Sequence, residues 1–71
     1  MPNPAHHPPA LERLPSVKQR SGLSRTHLYR LIAAGDFPKP VKLGFCSAWV
    51  ESEVSDWIAA RIAARDEGKA A

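Results

Sequence analysis

The spacing of apolar and polar positions at helical periodicity predicts a helix that starts after Ser24 and ends at Gly35. Leu28, Leu31 and Ile32 fall on one side of this helix, which is apolar enough to be buried. Ser24 is a good N-cap, and Gly35 can take the left-handed conformation that closes a helix. The opposite side carries Thr26, Tyr29, Arg30 and Ala33, with Arg25 and His27 on its flanks.

A shorter helix is predicted just before this one, within the segment from Leu14 to Ser21. Its start has two candidate signals: Pro15 as a first-turn proline, or Ser16 and Gln19 as a capping box. Val17 would face inward, and Gly22 would end the helix. Two helices joined by a short glycine-containing turn form a helix-turn-helix. In such a unit Lys18 and Arg20 would lie where the first helix crosses a phosphate backbone.

A small β-hairpin is predicted between the prolines after Gly35 and the last helix. Val41, Lys42 and Leu43 alternate apolar and polar side chains as an edge strand does, and residues 47–50 can form the returning strand. Behind a helix-turn-helix, such a hairpin is a wing. Lys39 and Lys42 would then reach the DNA backbone or an adjacent minor groove.

The segment from Glu51 to Arg65 predicts a third helix. Val54, Trp57, Ile58 and Ile62 recur at helical spacing, and acidic residues at the start and arginines at the end match the helix macrodipole. Trp49 and Trp57 are expected in the core. Residues 66–71 are expected to form a disordered tail.

The first ten residues are predicted to form a flexible, proline-rich arm. Their four prolines preclude a helix, and they contain no sizeable apolar side chain beyond Met1 that could form a core. The adjacent histidines His6 and His7 lack the further ligands that a metal site requires, so no metal is expected. The organisation is therefore an arm at 1–10, one domain at 11–65 and a tail at 66–71.

Charge is divided unevenly along the chain. The 71 residues carry a net charge of +3, but residues 1–50 hold seven basic and two acidic residues, whereas residues 51–71 hold three basic and five acidic ones. No acidic residue lies between Glu12 and Asp36. A basic segment around the central helix indicates a polyanionic partner on that side.

Composition excludes several classes of protein. A single cysteine, Cys46, allows no intramolecular disulfide, and it is expected to pack. The sequence contains no run of about 18 apolar residues, which a membrane-spanning helix would need. The chain also lacks a catalytic triad spacing, a glycine-rich phosphate loop and a metal-ligand set. A cytoplasmic, nucleoid-associated protein is expected, with no enzymatic activity, cofactor, membrane contact or small-molecule ligand.

The polar face of the central helix fits a DNA major groove. Long cations can contact phosphates and guanine edges, and short hydroxyls and methyl groups can contact other base edges. The alternative is an ordinary amphipathic helix whose polar face meets water. The candidate DNA-binding residues are Lys18, Arg20, Ser24, Arg25, Thr26, His27, Tyr29, Arg30, Lys39 and Lys42.

Three ordered motifs resemble the AlpA family of small phage and prophage regulators. They are the helix-turn-helix segment from Leu23 to Ile32, the Gly-Asp-Phe-Pro-Lys-Pro-Val-Lys-Leu-Gly segment at 35–44, and Trp49-Val50-Glu51-Ser52-Glu53-Val54 followed by Trp57-Ile58. The resemblance covers residues 11–65. It implies a mostly α-helical fold with a small β-hairpin, a winged helix-turn-helix similar to excisionases and MerR-type DNA-binding domains.

The resemblance also implies a function. It points to a sequence-specific double-stranded DNA-binding protein of a mobile element that acts as a transcriptional regulator. One alternative is an excisionase that binds near an attachment site, bends DNA and promotes excision by an integrase. Another alternative is an interaction module that docks a recombinase.

The wing departs from the family pattern. The family usually carries an arginine just after the Leu-Gly of the wing, whereas this chain has Phe45, Cys46 and Ser47. The wing tip can therefore present Phe45 to a neighbouring protomer instead of to DNA. We expect a monomer in solution that assembles head-to-tail on DNA.

Overall fold

The computed structural model describes residues 9–70, and the side chains as far as residue 68. The elements, in chain order, are β1 (Leu11–Arg13), α1 (Leu14–Ser21), α2 (Arg25–Ala34), β2 (Val41–Leu43), β3 (Cys46–Val50) and α3 (Glu51–Ala70). The fold is mostly helical with one small antiparallel sheet, as a winged helix-turn-helix requires. The predicted fold class is confirmed. The predicted arm, with His6 and His7, lies outside the described residues except for Pro9 and Ala10.

The sheet has three strands rather than the two of the predicted hairpin. Its order is β1-β3-β2, and both pairings are antiparallel. In the added pairing Leu11 lies opposite Val50 and Arg13 lies opposite Ala48. A three-residue strand of Leu, Glu and Arg has no recognisable period of its own. It becomes a strand because β3 offers it a free edge to pair with.

One hydrophobic core joins all three helices to the sheet. Its buried members are Val17, Leu28, Phe37, Trp49 and Val54. The indole Nε1 of Trp49 donates a hydrogen bond to the Pro38 carbonyl oxygen at 3.1 Å. Trp57 packs against this core, and its Nε1 donates to the Asp36 carbonyl oxygen at 2.6 Å. The core roles predicted for both tryptophans are confirmed, and each indole also holds the loop after α2.

The two ends of α1 follow different rules. Of the two start signals, the proline is the one used: α1 begins at Leu14 with Pro15 in its first turn. The Ser16 hydroxyl does not cap the helix but donates to Glu12 Oε2 at 2.7 Å. Gly22 ends the helix with φ of 76°, a conformation that favours glycine.

Helix α3 is longer than predicted, and the end at Arg65 must be corrected. The helix continues to Ala70, so residues 66–70 of the expected tail are helical in the structure. The segment after Arg65 contains no proline, and Gly68 does not adopt the positive φ of a helix-ending glycine. Nothing in the local chain therefore stops the helix at Arg65. Every residue from Ala59 to Gly68 is nevertheless exposed, and none of them belongs to the hydrophobic core.

Candidate nucleic-acid interface

Helix α2 is held rigidly by its ends and by one buried side. The Ser24 hydroxyl accepts a hydrogen bond from the backbone N–H of His27 at 3.1 Å, which confirms the predicted N-cap. Gly35 ends the helix with φ of 81°. Leu28 is completely buried, and Leu31 and Ile32 pack against the core. The helix therefore has a fixed orientation, and its other side faces outward.

The outward side presents polar groups over two turns. Arg25, Thr26, His27 and Arg30 are all exposed. Neither α1 nor α2 contains an acidic residue, so nothing on these helices neutralises the arginines. A convex helical surface with cations and short polar groups is suited to a major groove, which admits one α-helix.

Tyr29 occupies a different position from the other candidates on α2. It is half-buried, and its ring meets Trp49 edge-on with centroids 6.1 Å apart. The Arg25 guanidinium lies 5.3 Å from the centroid of the Tyr29 ring. Tyr29 thus supports the core on one side and orients an arginine on the other. The helical periodicity placed it on the polar face because the neighbouring sheet is not visible in a helix pattern.

The two DNA-binding candidates on α1, Lys18 and Arg20, have different surroundings. Lys18 is exposed. The Arg20 guanidinium donates to Glu12 Oε1 and to the Ser55 hydroxyl. Glu12 is only 7% exposed, so this ion pair satisfies a buried carboxylate and joins α1 to β1 and α3. The contacts give Arg20 a structural role, which leaves Lys18 as the free cation of this pair.

The wing is a hairpin with a two-residue turn. Leu43 pairs with Cys46, and Gly44 at the first turn position has φ of 72°, as a type II′ turn requires. The Lys42 ammonium donates to the Ser47 hydroxyl at 3.2 Å, and Lys39 is exposed. Phe45 projects from the tip and is fully exposed. Cys46 is half-buried with its thiol 3.5 Å from the Leu43 carbonyl oxygen, and it lines the cleft between the wing and α2 without belonging to the hydrophobic core.

A cleft of about 250 Å³ separates α2 from the wing. Arg25 and Tyr29 form one wall, Phe45 and Ser47 form the other, and Arg13 lies beside the start of α1. Arg13 is a basic residue that the sequence pattern did not single out. Its position follows from the register of β1, which sets Arg13 opposite Ala48. The signal that could have found it is the pairing of β1, which the chain pattern does not reveal.

Two features, a metal-ligand cluster and a membrane-spanning helix, are absent from the part of the chain that the structure describes. Within residues 9–68, no cluster of three His, Cys, Asp or Glu side chains could hold a metal ion. No helix among the described residues is long and apolar enough to cross a membrane.

Comparison with known proteins agrees with the motifs. The model of the family described as "Prophage CP4-57 regulatory protein (AlpA)" matches residues 11–62. The chain is 49% identical over 57 residues to "Uncharacterized protein ORF88" of Enterobacteria phage P4. That alignment covers 79% of this chain and 65% of the phage protein, so the chain spans just under two thirds of that relative. No solved structure matches the chain.

Proposed function

The chain belongs to the AlpA family of phage and prophage regulatory proteins, and from this we propose that it binds double-stranded DNA sequence-specifically and regulates transcription. The observation that carries the proposal is the exposed face of α2, where Arg25, Thr26 and Arg30 project from a helix fixed by Leu28. The protein then acts by occupying DNA rather than by catalysing a reaction.

Within this proposal, the residues of α2 and the lysines near it have different roles in DNA binding. Arg30, in the middle of the exposed face, has the length and the paired donors to contact guanine O6 and N7. Thr26, one turn earlier, offers a hydroxyl and a methyl group for a neighbouring base edge. Ser24 and His27 lie at the N-terminal end of the helix, where backbone N–H groups favour a phosphate. Lys18, Lys39 and Lys42 supply sequence-independent attraction to the backbone.

Several copies would be needed for a useful site. A single module of this size buries about 600–1,000 Å² on DNA, which covers few base pairs. We propose that copies bind side by side, with Phe45 of one copy meeting the next. Strand β2 lies at the edge of the sheet, and its exposed Val41 and Leu43 extend the apolar surface that begins at Phe45.

The test is fluorescence anisotropy on labelled duplexes that tile the DNA around the gene for this protein, with a random duplex as reference. Tight binding to some tiles, weakening as salt rises, supports a sequence-specific DNA binder. Binding at a promoter supports transcriptional regulation. Binding restricted to an attachment site, with bending of the DNA, would favour the excisionase alternative. Absence of binding to every tile at low salt would refute the DNA-binding proposal.

A substitution in α2 links the binding to the proposed surface. Arg30→Ala should weaken binding to the preferred tile by about 1–3 kcal/mol and reduce discrimination at one base position. Arg65→Ala is the matched control, because Arg65 is an exposed arginine of α3 that pairs with Asp66. Equal affinities of wild type and Arg30→Ala, combined with lost binding to a recombinase, would assign this face to a protein partner.

A further inference from the structure

The cleft between α2 and the wing combines two cations with an open, concave shape. Arg13 and Arg25 both line it, and no carboxylate does. The walls are completed by Tyr29 and Phe45, with Ser47 on the wing. Four parts of the fold, namely the end of β1, the first turn of α1, helix α2 and the wing, contribute to this one cleft.

The two arginines are free to bind an anion. The Arg13 side chain makes no hydrogen bond or ion pair with any residue that the structure describes, although its backbone occupies the N-cap of α1. Arg25 is held over the Tyr29 ring, which orients its guanidinium without neutralising it. Like charges that share a cleft repel each other, and an anion placed between them relieves that repulsion.

Hydroxyl groups beside the arginines can complete the coordination. Ser47 accepts a hydrogen bond from Lys42, so its own O–H proton remains available to donate. The Tyr29 hydroxyl takes part in none of the hydrogen bonds between described side chains, and its O–H is a further donor. Guanidinium groups and hydroxyls are the side-chain donors that phosphate oxygens commonly accept from.

We propose that this cleft is a phosphate site, in which Arg13 and Arg25 together hold one phosphodiester of the DNA backbone beside the groove that α2 enters. The inference rests on the proposed DNA-binding function and adds a residue, Arg13, that lies outside the helix-turn-helix. It assigns Arg25 to the backbone rather than to a base, which leaves Thr26 and Arg30 to read sequence. Because β1, α2 and the wing all contact the same phosphate, that contact fixes the register of α2 on the DNA.

The experiment measures the salt dependence of binding for wild type and Arg13→Ala on a preferred duplex and on a random duplex. Loss of one phosphate contact should make the slope of log Kobs against log salt shallower by about 1. Affinity should fall by a similar factor on both duplexes, because a phosphate contact carries no sequence information. Arg13→Lys should retain most of the slope, and the control Arg65→Ala should leave both slope and affinity unchanged.

Three outcomes would overturn the inference. One is an unchanged slope for Arg13→Ala when circular dichroism shows that the variant is folded and wild type binds DNA. The second is a loss of affinity confined to the preferred duplex, which would make Arg13 a base-reading residue. The third is binding of millimolar dAMP that Arg13→Ala abolishes while the affinity of Arg13→Ala for both duplexes equals that of wild type, since the cleft would then bind a mononucleotide and no DNA phosphate. If wild type binds no duplex, it is the proposed function that fails, and this result is seen before any variant is compared.

Discussion

Two neighbouring cations of α1 have different roles despite similar positions in the sequence. Lys18 is exposed, whereas Arg20 donates to the buried carboxylate of Glu12 and to Ser55. A buried carboxylate that loses its ion-pair partner is costly, because its remaining hydrogen bonds do not replace the lost charge. Arg20 therefore stabilises the fold.

Arg20→Ala should lower the free energy of unfolding by about 1–3 kcal/mol, since it leaves Glu12 with Ser16 as its remaining side-chain donor. Lys18→Ala, the matched control, should change stability by less than about 0.5 kcal/mol. Urea unfolding followed by tryptophan fluorescence measures both. Unchanged stability of Arg20→Ala together with weaker DNA binding would instead support the backbone contact that the sequence predicts for Arg20.

Residue roles that depend on local chain geometry could be predicted from the sequence, and roles that depend on distant partners could not. Ser24 and Gly35 act within one helix turn, so residue type and spacing were sufficient. Arg20 is occupied by Glu12 and Ser55, which come from two other elements. The position of Arg13 likewise depends on a strand pairing between separated parts of the chain.

At the scale of elements, the same contrast separates the helices from the sheet. Helix α1 begins at a first-turn proline and α2 at a serine cap, both helices end at glycines, and the hairpin is specified by a local turn. Strand β1 exists through its pairing with β3, and no local period marks it. The end of α3 was misplaced because the apolar pattern stops at Ile62, whereas no proline or positive-φ glycine ends the helix near Arg65.

Two glycine substitutions should have opposite effects on helices α2 and α3. Gly35→Ala forces a side chain into a positive φ and should destabilise the protein by about 1 kcal/mol, as urea unfolding would show. Gly68→Ala should stabilise the helical state at the end of α3 by up to about 1 kcal/mol and so raise the helical content. Gly68 is helical, and a methyl group there meets no atom within 4 Å.

Far-UV circular dichroism and Cα chemical shifts of residues 64–70 measure the second effect. Unchanged shifts in Gly68→Ala would favour the disordered tail that the sequence predicts at 66–71.

At the scale of the whole molecule, exposed apolar side chains lie at the wing tip and along strand β2, and the wing tip also borders the cleft that Arg25 lines. The arginines of α2 are suited to DNA, while Phe45, Val41 and Leu43 expose apolar area at the wing and the adjacent sheet edge. Burial of apolar area between copies on DNA contributes about 25 cal/mol per Å² before the costs of association are counted. A weak contact of this kind matters only when DNA brings copies together.

Leu43→Ser should therefore reduce cooperative binding without weakening the first binding event, because Leu43 is exposed on strand β2 and does not line the cleft between α2 and the wing. On a duplex with two adjacent sites the Hill coefficient should fall toward 1, while affinity for a single-site duplex should stay within about twofold, or 0.4 kcal/mol. Anisotropy titrations measure both, and sedimentation of the free protein checks that it is a monomer. Weaker binding to the single-site duplex would show that Leu43 contacts DNA itself.

The pairing of β1 with β3 also bears on how the chain folds. Glu51 donates its backbone N–H to the Ala10 carbonyl oxygen, so the start of α3 is tied to the segment before β1. The helix-turn-helix lies inside the loop that this contact closes. Non-local contacts of this kind slow folding, because closing the loop costs chain entropy before the stabilising contacts have formed. During synthesis, the core around Leu28 of α2 is complete only when Trp49 of β3 and Val54 of α3 have left the ribosome. Folding thus closes the chain from end to end, and helix α2, the proposed DNA-binding helix, acquires its final orientation late.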